Sequence, residues 1–381
     1  MKEYFGKPIK KLGFGFMRLP TLPGKPESDI DIEQVKKMVD LYMGRGFTYY
    51  DTAFGYHGGQ SEVAIRLAVA ERFDRDKFQV TTKLPVREKL TQDDLKKMTQ
   101  TSLDRAGLEY FDLYFLHGIG RGLEMLDQAN AWEYLRSVKD TGKSKNIGFS
   151  YHGDADTLNR LLDERDYIDI IQIQANYLDW EDDDVQARKC YEAAVAHDVG
   201  VIVMEPVKGG SLANFTPEVA AIFKAANPDV SVASWALRFP MALDGVVTVL
   251  SGMSDIEQVD DNTKTADNMG PLSDDEMKVI ADAMTELRKV PQIPCTQCRY
   301  CVDDCPQHIN IPGIIRLMND YTKYQNLASS RRMYGMITSG GFGGGVPAKA
   351  SDCVACGICE SRCPQKIGII DANKEAVGLF E

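Results

Sequence analysis

The chain has 381 residues, of which 44% are hydrophobic and 26% charged, and its formal net charge is −12 at pH 7. This composition is that of a folded protein with enough core material for one large and one smaller domain. The acidic balance argues against nucleic acid or an anionic membrane as a partner, because both require basic patches. The sequence shows no export signal and no apolar run of membrane-spanning length, so we expect a cytoplasmic protein without a membrane span.

Up to about residue 262 the sequence alternates short apolar runs with amphipathic helical patterns. Eight runs are strand candidates: LGFGFM, FTYYDTA, QVTTKL, DLYFLH, NIGFSY, IIQIQANY, VIVMEP and VVTVLSG. Near-continuously apolar strands that each precede a helix indicate a parallel sheet covered by helices. We therefore predict an α/β fold, a closed (β/α)8 TIM barrel. A doubly wound open sheet is the alternative, but no G-x-G-x-x-G fingerprint follows an early strand.

Eight of the nine cysteines follow residue 294 and form two copies of one pattern, three cysteines at x2 spacing and then Cys-Pro. In bacterial two-cluster ferredoxins such a run gives three ligands to one [4Fe–4S] cluster and its fourth cysteine to the other. The pattern thus predicts one cluster on Cys295, Cys298, Cys301 and Cys363, and a second on Cys353, Cys356, Cys359 and Cys305. Zinc sites are the alternative, since C-x2-C also binds zinc.

A long spacer separates the two patterns, and in this the region resembles the α-helical ferredoxin modules that are fused to redox enzymes. The spacer contains one helical stretch, IPGIIRLMNDYTKYQNLA, and a glycine-rich SGGFGGGVP. Before the cysteines, SDDEMKVIADAMTELRKV reads as one helix that PQIP ends. We predict a barrel over 1–272, a linking helix over 273–290 and a small, mainly α-helical two-cluster ferredoxin-like domain over 291–381.

Four polar residues stand at or just beyond the ends of successive predicted strands: Asp51, Tyr56, Lys83 and His117. The carboxyl ends of barrel strands meet at one face, where active sites are built. A lysine ammonium beside a tyrosine stabilises the phenolate, and a carboxylate orients the lysine. A nearby histidine can donate a hydrogen bond to a substrate carbonyl, so the four side chains together predict general acid catalysis of carbonyl reduction.

This order of residues resembles the aldo-keto reductase superfamily over roughly residues 5 to 265. The segments that carry the resemblance are YYDTAFGYHGGQSE, TTKLP, LYFLHG, NIGFS, IIQIQANYL and EPVKGG. The resemblance implies a (β/α)8 barrel whose catalytic tetrad is Asp51, Tyr56, Lys83 and His117. The complete chain looks like the branch of that superfamily with a carboxyl-terminal ferredoxin module.

The resemblance also implies a nicotinamide cofactor, NAD(P)H. Its implied contacts are Met17, Arg18, Ser150, Gln172, Met204, Pro206, Lys208, Gly209, Gly252, Gln258, Asp261 and Asn262. Tyr151 stands where the family has an Asn that holds the nicotinamide amide, and Met204 stands where an aromatic often stacks on the ring. Gly252 and Gln258 stand where relatives selecting the 2′-phosphate often have Lys and Arg, so NADP and NAD both stay open.

Hydride moves electrons in pairs, whereas a [4Fe–4S] cluster moves them singly. FMN is therefore a further candidate cofactor, because a flavin is stable in one- and two-electron forms. We expect an oxidoreductase that reduces a small-molecule carbonyl or related acceptor and exchanges single electrons with a ferredoxin or another carrier. The alternatives are flavin-mediated electron transfer between a ferredoxin and a nicotinamide or quinone-like acceptor, a non-catalytic redox-sensing module, and an ordinary reductase with structural clusters.

Overall fold

The structure is a computed structural model of the chain, and it describes residues 3–87, 89–120, 123–268, 270–340 and 346–381, without the side chain of Asp303. Over these residues the chain forms eight strands: β1 Leu12–Gly15, β2 Tyr49–Asp51, β3 Gln79–Pro85, β4 Phe111–Ile119, β5 Ser144–Tyr151, β6 Ile170–Gln174, β7 Gly200–Met204 and β8 Val246–Ser251. All neighbouring strands are parallel and β8 pairs with β1, which closes the barrel in chain order. The predicted barrel is confirmed.

Helices follow the strands and continue after the barrel. Those described are α1 Ile32–Gly44, α2 Gln60–Ile65, α3 Gln92–Ala106, α4 Leu123–Gln128, α5 Ala131–Asp140, α6 Ala155–Asp163, α7 Ala187–Ala196, α8 Pro217–Ala226, α9 Val232–Met241, α10 Ile256–Asn268, α11 Asp274–Leu287, α12 Tyr300–Asp303, α13 Ile311–Tyr324, α14 Leu327–Thr338, α15 Ile358–Arg362 and α16 Ile369–Phe380. Among the described residues, no helix has the length and apolarity needed to cross a membrane.

Local sequence explains where these helices begin and end. Thr91 accepts from the backbone N–H of Asp94 and Asp94 bonds back to Thr91, so a capping box begins α3. Gly107 ends it in the left-handed region, with φ of 64°. The helical stretch predicted in the spacer forms two helices, because Gln325 turns into the left-handed region and Asn326 caps α14. The glycine-rich stretch after α14 lies largely outside the described residues.

The chain divides into two compact units. The first comprises the described residues up to Val207 together with Ala233–Ser273, and the second comprises Lys208–Val232 and the described residues of Asp274–Glu381. The segment after β7 thus belongs with the cysteine-bearing helices, and its α8 packs on α11. The domain boundaries inferred from the sequence, after residues 272 and 290, stay a prediction beside this division.

Each unit has its own core. Inside the barrel, Phe115, Ile170 and Ile202 are buried together, and a larger apolar layer lies between the barrel and its helices. In the second unit the core gathers isoleucines and aromatics of α13, α14 and α16, among them Ile314 and Phe380. Burial of such side chains is the main stabilising contribution to both units.

Gly148 sets the closest approach of β5 and β6. A Cβ at this position would lie 1.7 Å from the carbonyl oxygen of Ile170, a backbone atom that cannot move without separating the strands. We expect Gly148→Ala to lower the free energy of unfolding by about 3 kcal/mol, the upper end of overpacking costs. Thermal unfolding followed by circular dichroism measures it.

Gly44→Ala is the matched control, because an added methyl group there meets no atom within 4 Å. Alanine at this last residue of α1 should leave stability unchanged or raise it slightly. Equal melting temperatures for Gly148→Ala and Gly44→Ala would contradict the close packing of β5 on β6.

Candidate active site and cluster cavities

The four candidate catalytic residues lie at the carboxyl ends of three adjacent strands. Asp51 is the last residue of β2, Lys83 lies in β3 and His117 lies in β4. Tyr56 begins a short 3-10 turn, Tyr56–Gly59, just after β2. The structure therefore brings together the four residues that the sequence singled out.

Lys83 is the central residue of this group, with only 1% of its surface exposed. Its Nζ donates to the Asp51 carboxylate and, at 2.9 Å, to the carbonyl oxygen of Thr52. It also lies 5.0 Å from the centroid of the Tyr56 ring. Burial lowers the pKa of Lys83, but the charge of Asp51 and the Tyr56 hydroxyl outweigh it and leave the pKa above the ordinary value. The ammonium therefore stays charged.

Tyr56 and His117 face each other edge to face, with ring centroids 5.7 Å apart. Burial raises the pKa of Tyr56, although the adjacent Lys83 charge acts in the opposite direction, so the phenol keeps its proton. Burial, followed by the charges of Lys83 and His152, lowers the pKa of His117 to about 3. The imidazole is therefore neutral near pH 7 and can donate one hydrogen bond without carrying charge.

A second charge pair, with a buried carboxylate and a partly exposed arginine, supports the Tyr56 loop, and the sequence reasoning missed it. Glu62 is fully buried, accepts from Thr82 at 2.7 Å and pairs with Arg105 at 3.3 Å. Arg105 donates to the carbonyl oxygen of Phe54 at 3.2 Å and lies under Gly59, where a Cβ would come within 2.7 Å of the guanidinium. The loop is thus held on both sides of Tyr56. The local signal for Glu62 is the SE of YHGGQSE, within a segment that carries the family resemblance.

His152 is a further residue that the sequence reasoning missed. Its backbone N–H donates to the carbonyl oxygen of Ile119 at 2.7 Å, which joins the chain after β5 to the end of β4. The side chain is exposed at the rim, and partial burial together with the charge of Lys83 lowers its pKa. It is the histidine whose charge acts on His117.

Ser150 and Gln172 are register partners on β5 and β6. Ser150 Oγ accepts from the Gly118 backbone N–H at 2.8 Å, which leaves its own O–H free to donate. Gln172 Oε1 is buried and has no hydrogen-bond partner among the described residues. An unpaired buried acceptor is costly, and a carboxamide N–H of a nicotinamide would satisfy it. The donor set therefore fits the expected cofactor at this point.

Other expected cofactor contacts lie around the ends of β1 and β8. The Arg18 side chain covers Gly252, with its carbons 3.3 Å from where a Cβ would stand, and its guanidinium lies 3.7 Å from Glu205. Gln258 Oε1 accepts from the backbone N–H of Ser254, and its Nε2 donates to the Asp255 carboxylate. Its amide is therefore already engaged in hydrogen bonds within its own loop.

The remaining expected contacts divide between the two units. Asn262 is buried and donates to Ser251 Oγ at 3.0 Å, so it holds the end of β8. Asp261, Pro206, Met204 and the exposed Met17 belong to the barrel unit. Lys208 and Gly209 belong to the second unit, where they open a turn with positive φ at both residues.

The eight carboxyl-terminal cysteines line two cavities in the second unit. The first cavity contains Cys295, Cys298, Cys301 and Cys363. The second contains Cys305, Cys353, Cys356 and Cys359. Each cavity thus receives three cysteines of one pattern and the fourth of the other, the grouping that the spacing predicts.

The cavities have the lining that a cubane requires, with four cysteines around each. Among the described residues, no three His, Cys, Asp or Glu side chains are grouped around a single metal position. Zinc would bind its four ligands at one centre, with each sulfur about 2.3 Å away. In a [4Fe–4S] cluster each thiolate instead binds a different iron, so sulfurs spread around an apolar cavity fit it.

The chain thus forms a closed parallel barrel whose carboxyl face presents a charged lysine, a protonated tyrosine and a neutral histidine. The model of the aldo/keto reductase family matches residues 11–284, and the chain belongs to that family. Residues 294–367 match the model of the 4Fe-4S dicluster domain. The family resemblance seen in the sequence is confirmed on both counts.

Individual relatives are distant. A "Probable aldo-keto reductase 1" of Glycine max is 28% identical over 41% of this chain and 45% of its own length. The chain thus spans about half of that relative. An NADH-specific methylglyoxal reductase of Escherichia coli is 24% identical over 63% of this chain and 85% of its own. An aldo/keto reductase structure from Klebsiella pneumoniae with NADP and acetate is 19% identical, with a TM-score of 0.59 over 73% and 91% of the two chains. The expected flavin gains no support from these comparisons.

We expect acid to destabilise the fold through His117. Its pKa is about 3 when folded against 6.5 ordinarily, so below pH 6.5 the unfolded chain binds a proton that the folded chain does not. Stability contributed by the neutral imidazole is therefore complete above pH 6.5 and is lost as the pH falls toward 3. The loss reaches at most about 1.4 kcal/mol per pH unit.

Chemical denaturation of the wild type and of His117→Asn, at about pH 7.5 and about pH 5.5, measures this difference. The wild type should lose about 1 kcal/mol more than the variant over that interval. An equal loss in both proteins would contradict a neutral, proton-resistant His117.

Proposed function

We propose that the protein reduces a carbonyl or related acceptor at the carboxyl face of the barrel, and that this reaction is coupled to one-electron transfer through two [4Fe–4S] clusters. The observation that carries the proposal is the buried Lys83 ammonium, held by Asp51 against a Tyr56 phenol that keeps its proton. A scaffold without catalytic function has no need to keep a lysine charged inside its barrel, because burying a charge is costly.

The roles of the four residues follow from their charges. His117 donates a hydrogen bond to the substrate carbonyl oxygen and orients it. Tyr56 transfers its proton to the same oxygen as negative charge develops there, and Lys83 stabilises the phenolate that remains. Asp51 fixes the ammonium in the direction of the phenol. When bound, the nicotinamide supplies the hydride.

The proposed cofactor contacts begin with Ser150 and Gln172, for the carboxamide of a nicotinamide. The unpaired Gln172 Oε1 supports this assignment. Lys208 and the backbone of Gly209 are proposed for the diphosphate, since a cation and a left-handed backbone suit an anion. NAD and NADP both stay in question, because one relative is named NADH-specific and one neighbour was solved with NADP. A comparison of kcat/KM for NADH and NADPH distinguishes them.

The clusters are proposed to serve a one-electron carrier such as a ferredoxin. The cysteines of the two cavities would hold them, and they would supply single-electron exchange. The exposed side chains of Cys298 and Cys356 support access of such a carrier to the clusters from solution, whereas Cys301 and Cys359 are buried. One cysteine of each cavity therefore reaches the protein surface.

We expect Tyr56→Phe to lower kcat for carbonyl reduction by about 10²- to 10⁴-fold, the usual contribution of a general acid. The measurement is nicotinamide oxidation with a panel of aldehydes, ketones and quinones. Tyr191→Phe is the matched control, since that hydroxyl donates only to the Asp244 carbonyl oxygen, at 2.7 Å, away from the tetrad. Turnover that is equal in both variants with every acceptor would refute the catalytic role of the barrel.

The cysteine assignment makes a separate prediction. Cys363→Ser should alter the same cluster spectrum as Cys298→Ser, whereas Cys305→Ser should alter the one that Cys356→Ser alters. Electron paramagnetic resonance of anaerobically purified, dithionite-reduced protein measures this, together with iron, sulfide and flavin content. Cys190→Ser is the control, because Cys190 is buried in α7 of the barrel unit and should leave iron content unchanged. If Cys363→Ser behaves as Cys356→Ser does, the proposed pairing is wrong.

A further inference from the structure

The two cluster cavities have similar linings, each with four cysteines, but they differ at a buried helical position. Ile315 is the fifth residue of α13 and lines the first cavity, and Asn373 is the fifth residue of α16 and lines the second. Both are buried, with 1% and 2% of their surface exposed. Gln307 precedes α13 and lines the second cavity, whereas Gln365 precedes α16 and lines the first. Each cavity therefore has one such glutamine, and these residues do not distinguish the two cavities.

The side-chain nitrogen of Asn373 lacks a hydrogen-bond partner among the residues that the structure describes. This atom, Nδ2, is also buried. Native proteins rarely leave a buried donor unpaired, because its desolvation is then not compensated. A ligand that accepts hydrogen bonds is therefore expected in the cavity that Asn373 lines. Thiolates and the sulfides of an iron–sulfur cluster are such acceptors.

We propose that Asn373 donates an N–H···S hydrogen bond to the second cluster and raises its reduction potential. This inference rests on the proposed cysteine assignment. On reduction the cluster takes up one electron and becomes more negative, and a donor aimed at its sulfurs stabilises that reduced state more than the oxidised state. The Ile315 side chain has no donor, so the first cluster lacks this contribution.

Two other polar side chains line the first cavity and act differently. Thr296 and Arg299 are both exposed, so water already solvates the hydroxyl and the cation. Solvent screening reduces the effect of such groups on a nearby charge. Among the described lining residues, Asn373 is the buried one that has both an N–H donor and no other partner.

The test is a mediated redox titration of the anaerobically purified full-length protein, with dithionite as the one-electron reductant and paramagnetic resonance as the readout. Iron and sulfide are measured first, and a wild type without them would overturn the cluster assignment itself, whatever its carbonyl reductase activity. In Asn373→Leu the reduced-to-oxidised ratio of one cluster, at fixed ambient potential, should fall about tenfold, which is a shift of about 59 mV for one electron. The other cluster should not change.

Reciprocal variants separate the hydrogen bond from a change in cavity shape. Ile315→Asn should raise the potential of the cluster that Asn373→Leu leaves unchanged, whereas Ile315→Leu should shift neither. Asn373→Asp keeps the side-chain shape but replaces the N–H donor with a carboxylate, and both the lost donor and the added negative charge should lower the potential of the second cluster. Unchanged midpoints in Asn373→Leu and Asn373→Asp with full iron content, or equal shifts of both clusters, would overturn the proposal.

Discussion

The buried ammonium of Lys83 is the constraint on which the active face depends. A charge enclosed by a barrel is strongly disfavoured unless a counter-charge and further hydrogen bonds accompany it. Asp51 supplies the counter-charge from the neighbouring strand, and the carbonyl oxygen of Thr52 takes another ammonium N–H. Burial is the main cause that keeps the proton on Tyr56 and keeps His117 neutral. The Lys83 charge opposes the effect of burial on the pKa of Tyr56 and adds to its effect on the pKa of His117, so one ion pair acts on both groups that would meet a substrate.

The barrel positions these residues with little additional loss of conformational entropy. Asp51, Lys83 and His117 stand on three consecutive, directly paired strands, so sheet hydrogen bonding alone fixes their backbone positions. Tyr56 lies on a loop and needs separate support, which the buried Glu62 and Arg105 provide through Phe54 and Gly59. A phenol that must transfer a proton requires such positioning, because a small misplacement of the reacting groups costs much of the rate. The Lys83–Asp51 pair thus acts on the pKa values of the site, and the Arg105–Glu62 pair positions the Tyr56 loop.

The sequence predicts those features that local pattern determines. Asp51, Lys83 and His117 follow from strand ends, because a parallel barrel collects these ends at one face. The grouping of cysteines follows from spacing. Arg105 and Asn373 could not be predicted, since nothing local distinguishes a helical Arg or Asn that faces a buried carboxylate or a cavity from one that faces water. The break at Gln325 was missed because a left-handed residue without glycine has a weak local signal.

The membership of Lys208–Val232 in the second unit also depends on long-range packing rather than on local pattern. Phe215 packs on Phe223 and Tyr324, and α8 packs on α11. The sequence boundary after residue 272 would therefore separate α8 from the helix on which it packs. The chain crosses between the units after Val207, before Ala233 and after Ser273. Because the excursion begins just after β7 and carries Lys208, the unit that holds the cysteines also contains a residue proposed to bind the cofactor.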